Sequence, residues 1–157
     1  ESGGSVSNNT FVSIKGLDDD AEAFGVYVLN DLSGSVSGNT FSSIVASGTG
    51  NARGVYVGHN INRDSSIANN TFNVQSTAGD AIGIYQALGG KTINIAGISG
   101  NTFNVYAPTN GKTAYGLSYN NTGAGATLNG TTAAFKTSQN NKFGGDISEP
   151  NEVQARS

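Results

Sequence analysis

The string Asn-Thr-Phe stands four times in this chain of 157 residues, at 9–11, 39–41, 70–72 and 101–103, and a degenerate copy, Asn141-Lys142-Phe143, follows. Successive phenylalanines are 30, 31, 31 and 40 residues apart. A second string, Ala-x-Gly-apolar, runs in step with the first: Ala23-Phe24-Gly25-Val26, Ala52-Arg53-Gly54-Val55, Ala81-Ile82-Gly83-Ile84 and Ala114-Tyr115-Gly116-Leu117. Its glycines are 29, 29 and 33 residues apart. Two landmarks that alternate at one period define a structural unit. A unit this short cannot bury an apolar face alone, so the units must stack.

Around each landmark the apolar period is 2, as in Val26-Tyr27-Val28, Val55-Tyr56-Val57 and Ile93-Asn94-Ile95. Gly, Asn and Ser fall between these short runs, and no window has helical amphipathicity. Each unit therefore reads as about three short strands: Gly-Val-Tyr-Val, then Ser-Val-Ser, then Thr-Phe-x-x-Ile. Three strands and sharp bends every 30 residues describe a chain coiling about one axis, each coil pairing in parallel with the last at roughly 4.8 Å. The expected architecture is all-β, a parallel β-helix of about four coils of roughly 30 residues over 1–146. A non-repeat tail or linker is expected at 147–157.

The bend before each third strand is legible. The residue preceding the repeated Asn is Asn8, Gly38, Asn69, Gly100 or Asn140, and Asn and Gly enter the left-handed region most cheaply. The repeated residues Asn9, Asn39, Asn70, Asn101 and Asn141 are expected to stack as an internal amide ladder that satisfies polar groups buried at the bend. Phe11, Phe41, Phe72, Phe103 and Phe143 share their parity and are expected to form an aromatic stack inside the coil.

These strings resemble right-handed parallel β-helix repeats of the pectate-lyase-like type, with their Gly-Ile-Tyr and Ile-x-Asn-Asn-Thr-Phe elements, over roughly residues 3 to 145. That group includes polysaccharide lyases and hydrolases, phage tailspikes, and passenger domains of Gram-negative autotransporters. The low charge and the Gly/Asn/Ser/Thr richness are similar to those of the passengers. The resemblance implies a segment of a secreted or bacterial cell-surface protein acting as adhesin, toxin stalk or binding scaffold. A host-cell surface protein or a glycan would then be the partner. The alternative it implies is a carbohydrate-active lyase, hydrolase or tailspike. Open coil ends would present unpaired strand edges and invite self-association.

Composition narrows the chemistry further. Leu, Ile, Val and Phe make up about 22% of the chain, just enough to fold but too few for a conventional globular core. There is no Cys, hence no thiol nucleophile or thiolate metal site. One His and a pI near 4.9 argue against nucleic acid as a partner and against His-based metal chemistry. Apolar runs of a few residues are too short to insert in a membrane. No cofactor fingerprint occurs, and the glycines punctuate bends.

Few side chains remain as candidates. Asp18-Asp19-Asp20 is an acidic run that a hard cation could use, but it lacks the spacing of known calcium loops and reads as a solvated turn. Glu22 and Asp80 share one repeat position, two coils and roughly 9.6 Å apart along the axis, the kind of span glycoside cleavage by inversion employs. No Lys/Arg cluster accompanies them. His59 follows Val57-Gly58 without a triad pattern. Tyr27, Tyr56 and Tyr85 follow the Gly-apolar pair in three successive coils and should form one outward column. That column would stabilise the sheet and offer flat faces to a sugar or a partner chain. No catalytic and no metal-binding residue is assigned, and these three tyrosines are the expected binding residues.

Overall fold

The structure, a computed structural model, describes residues 3–156, so Glu1, Ser2 and Ser157 of the two expected segments lie outside it. It is a parallel β-solenoid of about four turns with about 31 residues per turn. Three main sheets wrap the axis, each built of strands from successive coils, and a two-stranded pair, Thr92–Ile93 with Thr127–Leu128, lies at one corner. The glycine sheet holds Ala23–Val28, Ala52–Val57, Ala81–Gln86, Ala114–Asn120 and Val153–Arg156. The serine sheet holds Ser5–Ser7, Ser35–Ser37, Ser66–Ala68 and Ile98–Ser99. The phenylalanine sheet holds Thr10–Phe11, Thr40–Ala46, Thr71–Ser76, Thr102–Tyr106 and Lys142–Gly145, with Ile14–Gly16 paired beside Thr40–Ala46.

The repeat is the register. Thr-Phe pairs with Thr-Phe in each of the first four coils, and Phe103 with Phe143 in the last. Phe41, Phe72 and Phe103 are fully buried. Their rings stack face to face, with centroids 4.7 Å apart for Phe11 and Phe41, 5.1 Å for Phe41 and Phe72, 5.4 Å for Phe72 and Phe103, and 5.6 Å for Phe103 and Phe143. The second landmark keeps step for a steric reason. A Cβ on Gly54 would lie 2.7 Å from Cδ1 of Phe72, and one on Gly116 would lie 2.7 Å from Cε1 of Phe143. The glycine leaves the volume that the ring of its own coil fills.

The asparagine ladder forms as expected. Asn39, Asn70 and Asn101 are buried. Each donates its backbone N–H and one Nδ2–H to Oδ1 of the Asn one coil further on, at 3.0–3.2 Å. The other Nδ2–H goes back to the carbonyl of Val6, Val36 or Ile67 in the preceding coil, each at 2.8 Å. Oδ1 accepts two hydrogen bonds from the coil before, so both donors and both acceptor sites of each inner amide are filled. Asn8, Asn69 and Asn140 have φ of 55–57°, and Gly38 and Gly100 have φ of 66°. The bend is left-handed in every coil.

Three features differ from the sequence expectation. The strand written as Thr-Phe-x-x-Ile holds only in the first two coils. Thr71–Ser76 places Val74 opposite Ile44, so the register shifts by one residue between Phe41 and Ile44. In the last coil the helix Thr132–Thr137 replaces the Ser-Val-Ser strand. Oγ1 of Thr131 caps it by accepting from the Ala134 N–H at 3.0 Å, and Phe135 brings a fully buried ring to the core. The 147–157 segment, expected as a tail outside the repeat, contributes Val153–Arg156, which pairs in parallel with Leu117–Asn120. Backbone pairing requires no motif, and Val153 packs against the core. A further column, Leu32, Ile61, Ile93 and Leu128, fills the corner between the glycine and serine sheets.

Candidate functional site

Along the glycine sheet, Ala and Gly face inward and the residues between them face out. Tyr27, Tyr56 and Tyr85 are in register, as the sequence predicts. Beside them runs a second outward column, Phe24, Arg53, Ile82 and Tyr115, which is the x of the Ala-x-Gly string. Four large side chains at that variable position were legible in the sequence, yet only the tyrosines were singled out.

The two columns interlock. Tyr27 and Tyr56 stack in parallel, with centroids 4.6 Å apart and planes 8° from coplanar, while Phe24 meets each ring edge-on at 5.0 and 5.5 Å. The Arg53 guanidinium lies 4.9 Å from the Tyr85 centroid and 5.8 Å from that of Tyr56. Tyr85 is consequently tilted 51° from Tyr56. Arg53 is held by Oε1 of Glu22 at 2.6 Å. Arg156, from the last strand, repeats the device: it lies 5.5 Å from the Tyr115 ring and 3.3 Å from Oδ2 of Asp80. Each guanidinium thus has a carboxylate beside it and an aromatic ring within cation–π distance. Ile82, at an outward position, is completely covered.

This packing corrects one expectation about the tyrosines. Flat faces available to a ligand were expected in three successive coils, at Tyr27, Tyr56 and Tyr85. Stacked rings spend their faces on each other, so the column shows ring edges and hydroxyls to solvent. Tyr27, first in the stack, is 52% exposed, whereas Tyr56 and Tyr85 are half-buried. Burial, with the neighbouring phenols, holds the Tyr56 hydroxyl above its ordinary pKa of 10.0.

Glu22 and Asp80 do share a repeat position, and Asn51 and Thr113 complete a ladder through it. Asn51 Nδ2 donates to Glu22 Oε1 at 3.3 Å, the Asp80 N–H to Asn51 Oδ1 at 2.8 Å, and the Thr113 N–H to Asp80 Oδ1 at 3.0 Å. Both carboxylates are therefore engaged in the sheet edge as well as with their arginines. A third ladder sits at the opposite end of the same strands. Oδ1 of Asp31 accepts from the N–H and Nδ2 of Asn60, whose Oδ1 accepts from the Thr92 N–H. The backbone hydrogen bond from Asn60 holds the Asp31 carboxyl below its ordinary pKa of 3.8. His59 is 3.9 Å from Asp31.

Asp18, Asp19 and Asp20 are exposed in the turn that enters the glycine sheet, and the Asp19 carbonyl accepts from Thr49. Among the described residues no three His, Asp or Glu side chains converge on a point. No helix there is long and apolar enough to cross a membrane. Comparisons with protein-family models, with curated proteins and with solved structures return no match, so the class of protein is defined by architecture alone: a parallel β-solenoid.

Proposed function

We propose that this chain is a segment of a secreted or surface-displayed bacterial β-helix, of the kind found in autotransporter passengers, that works as an adhesin, toxin stalk or binding scaffold rather than as an enzyme. The observation carrying this reading is the engagement of Glu22 and Asp80. General acid–base cleavage needs a carboxyl free to exchange a proton with a substrate oxygen. Here each carboxylate of the one pair at a shared repeat position is ion-paired to an arginine and accepts hydrogen bonds from the neighbouring strand.

Ligand contact is assigned to the ridge formed by Tyr27, Tyr56 and Tyr85 with Phe24 and Arg53. Its ring edges, hydroxyls and one open Tyr27 face suit a glycan or a protein surface. Each contact would be weak, and repetition along a solenoid would add avidity. The test is a panel of polysaccharides and host-cell surface proteins, scored for new reducing ends and for retention. Retention reduced several-fold by Tyr27→Ala, without cleavage, is the expected result. Cleavage abolished by Glu22→Gln would overturn the scaffold reading.

A further inference from the structure

The tyrosine column contains two unlike contacts. Tyr27 and Tyr56 are partners in parallel register, with rings 4.6 Å apart and 8° from coplanar. Parallel register gives both side chains the same direction, so like atoms face like atoms: hydroxyl beside hydroxyl, ortho carbon (Cε) beside ortho carbon. Tyr56 and Tyr85 are also in register, yet their centroids are 5.8 Å apart and their planes 51° from parallel. The Arg53 guanidinium lies 4.9 Å from the Tyr85 centroid. Among the described residues no further tyrosine pair is stacked: Tyr106 stands opposite Gln75, Tyr115 opposite Ile82 and Tyr119 opposite Gln86.

The geometry points to the Tyr27–Tyr56 pair as a site of oxidative modification, where a one-electron oxidant of the haem-peroxidase class, turning over hydrogen peroxide, joins the two rings by a Cε–Cε bond. Each phenol gives one electron to the oxidant and its hydroxyl proton to water. The two phenoxyl radicals carry part of their unpaired spin on the ortho carbons, and pairing of the spins forms the carbon–carbon bond. The hydrogen on each bonded ortho carbon then leaves as a proton while each oxygen regains one, which restores both phenols. Overall, two Cε–H bonds and the peroxide O–O bond break, and one C–C bond and two O–H bonds form. Two tyrosines and one peroxide become one dityrosine and two waters.

Stacking supplies what the coupling step needs. A radical on either ring finds its partner already in contact, so a bimolecular encounter becomes an intramolecular one. At Tyr56 and Tyr85 the tilted planes draw the ortho carbons apart, and the guanidinium charge opposes loss of an electron from the Tyr85 ring. The bond therefore forms between Ala23–Val28 and Ala52–Val57 and not between the next two strands of the sheet. It closes the chain between residues 27 and 56 as a disulfide would, in a sequence without cysteine.

The test exposes the full chain to a plant haem peroxidase and hydrogen peroxide at several protein concentrations. A monomeric product lighter by two hydrogens is expected, with dityrosine fluorescence and a yield per molecule independent of protein concentration. Trypsin separates the three tyrosines of the column, since it cuts after Lys15, Arg53, Arg63 and Lys91. The cross-linked species should therefore join 16–53 to 54–63. Tyr27→Phe and Tyr56→Phe keep the ring and remove the hydroxyl, and each should lower the intramolecular yield at least tenfold, whereas Tyr106→Phe should leave it unchanged. The linked monomer should unfold at a higher urea concentration than the unlinked one. A link joining 54–63 to 64–91 in equal or greater yield, a product found only as covalent dimers, or intramolecular dityrosine persisting in Tyr56→Phe would overturn the proposal. So would an unchanged urea midpoint of the linked monomer, or no dityrosine under conditions that couple free tyrosine.

Discussion

Replacing Phe72 by Ala removes a ring with no solvent exposure, sandwiched between Phe41 at 5.1 Å and Phe103 at 5.4 Å. Truncating a buried Phe in this way costs about 3–5 kcal/mol, from lost transfer free energy and the cavity left behind. The upper part of that range applies because nothing nearby can collapse into the void. The ring rests on Gly54, which has no side chain to offer, and the stack above and below is held by strand register. Phe11→Ala is the internal control: Phe11 is half-buried and has one stacked neighbour, so about half the loss is expected. Urea denaturation of both variants, with the slope m compared to wild type, reads the difference, since unchanged m assigns the change to native stability. A loss below about 1 kcal/mol for Phe72→Ala, or equal losses for the two variants, would refute an internal stack whose inner members carry the coil interfaces.

Asn70→Ala would strand the Asn39 N–H and Nδ2 donors and the Val36 carbonyl, and should cost about 3 kcal/mol or more by the same assay, each unmet buried group contributing about 1–3 kcal/mol before relaxation. Asn9→Ala, whose side chain is exposed, should cost far less. Asp31 gives a pH dependence whose sign follows from its lowered native pKa: the stabilisation is fully present above the unfolded value near 3.8 and is lost as pH falls through the lower native value. Thermal melts of wild type and Asp31→Asn between pH 6 and 2 should therefore converge in acid. A constant gap between them at all pH values would show that Asp31 is not titrating in the native ladder.

The coil, its sheets and its bends were legible because one physical constraint recurs in every unit. A left-handed bend admits Asn or Gly, the ladder admits only an amide that both donates and accepts, and the ring demands a glycine opposite it. Repetition turned those local requirements into a visible period, and the period into register. The end of the chain escaped the same reading because nothing repeats there. The helix carrying Phe135 supplies core volume without the Ser-Val-Ser pattern, and Val153–Arg156 joins the glycine sheet through backbone hydrogen bonds that any residues can make. The outer face was half legible. The tyrosine column followed from parity, but parity says nothing about what lies between columns. Coil stacking alone brought Arg53 over Tyr85 and onto Glu22, and Arg156 over Tyr115 and onto Asp80. Those pairs join residues 31 to 76 positions apart that share no motif, and their geometry depends on which strands become neighbours. The sequence by itself determined how each coil is built and where the next one must sit. Only the folded stack decided which carboxylates are already paired and which aromatic faces remain open, because both are contacts between coils rather than properties of any one of them.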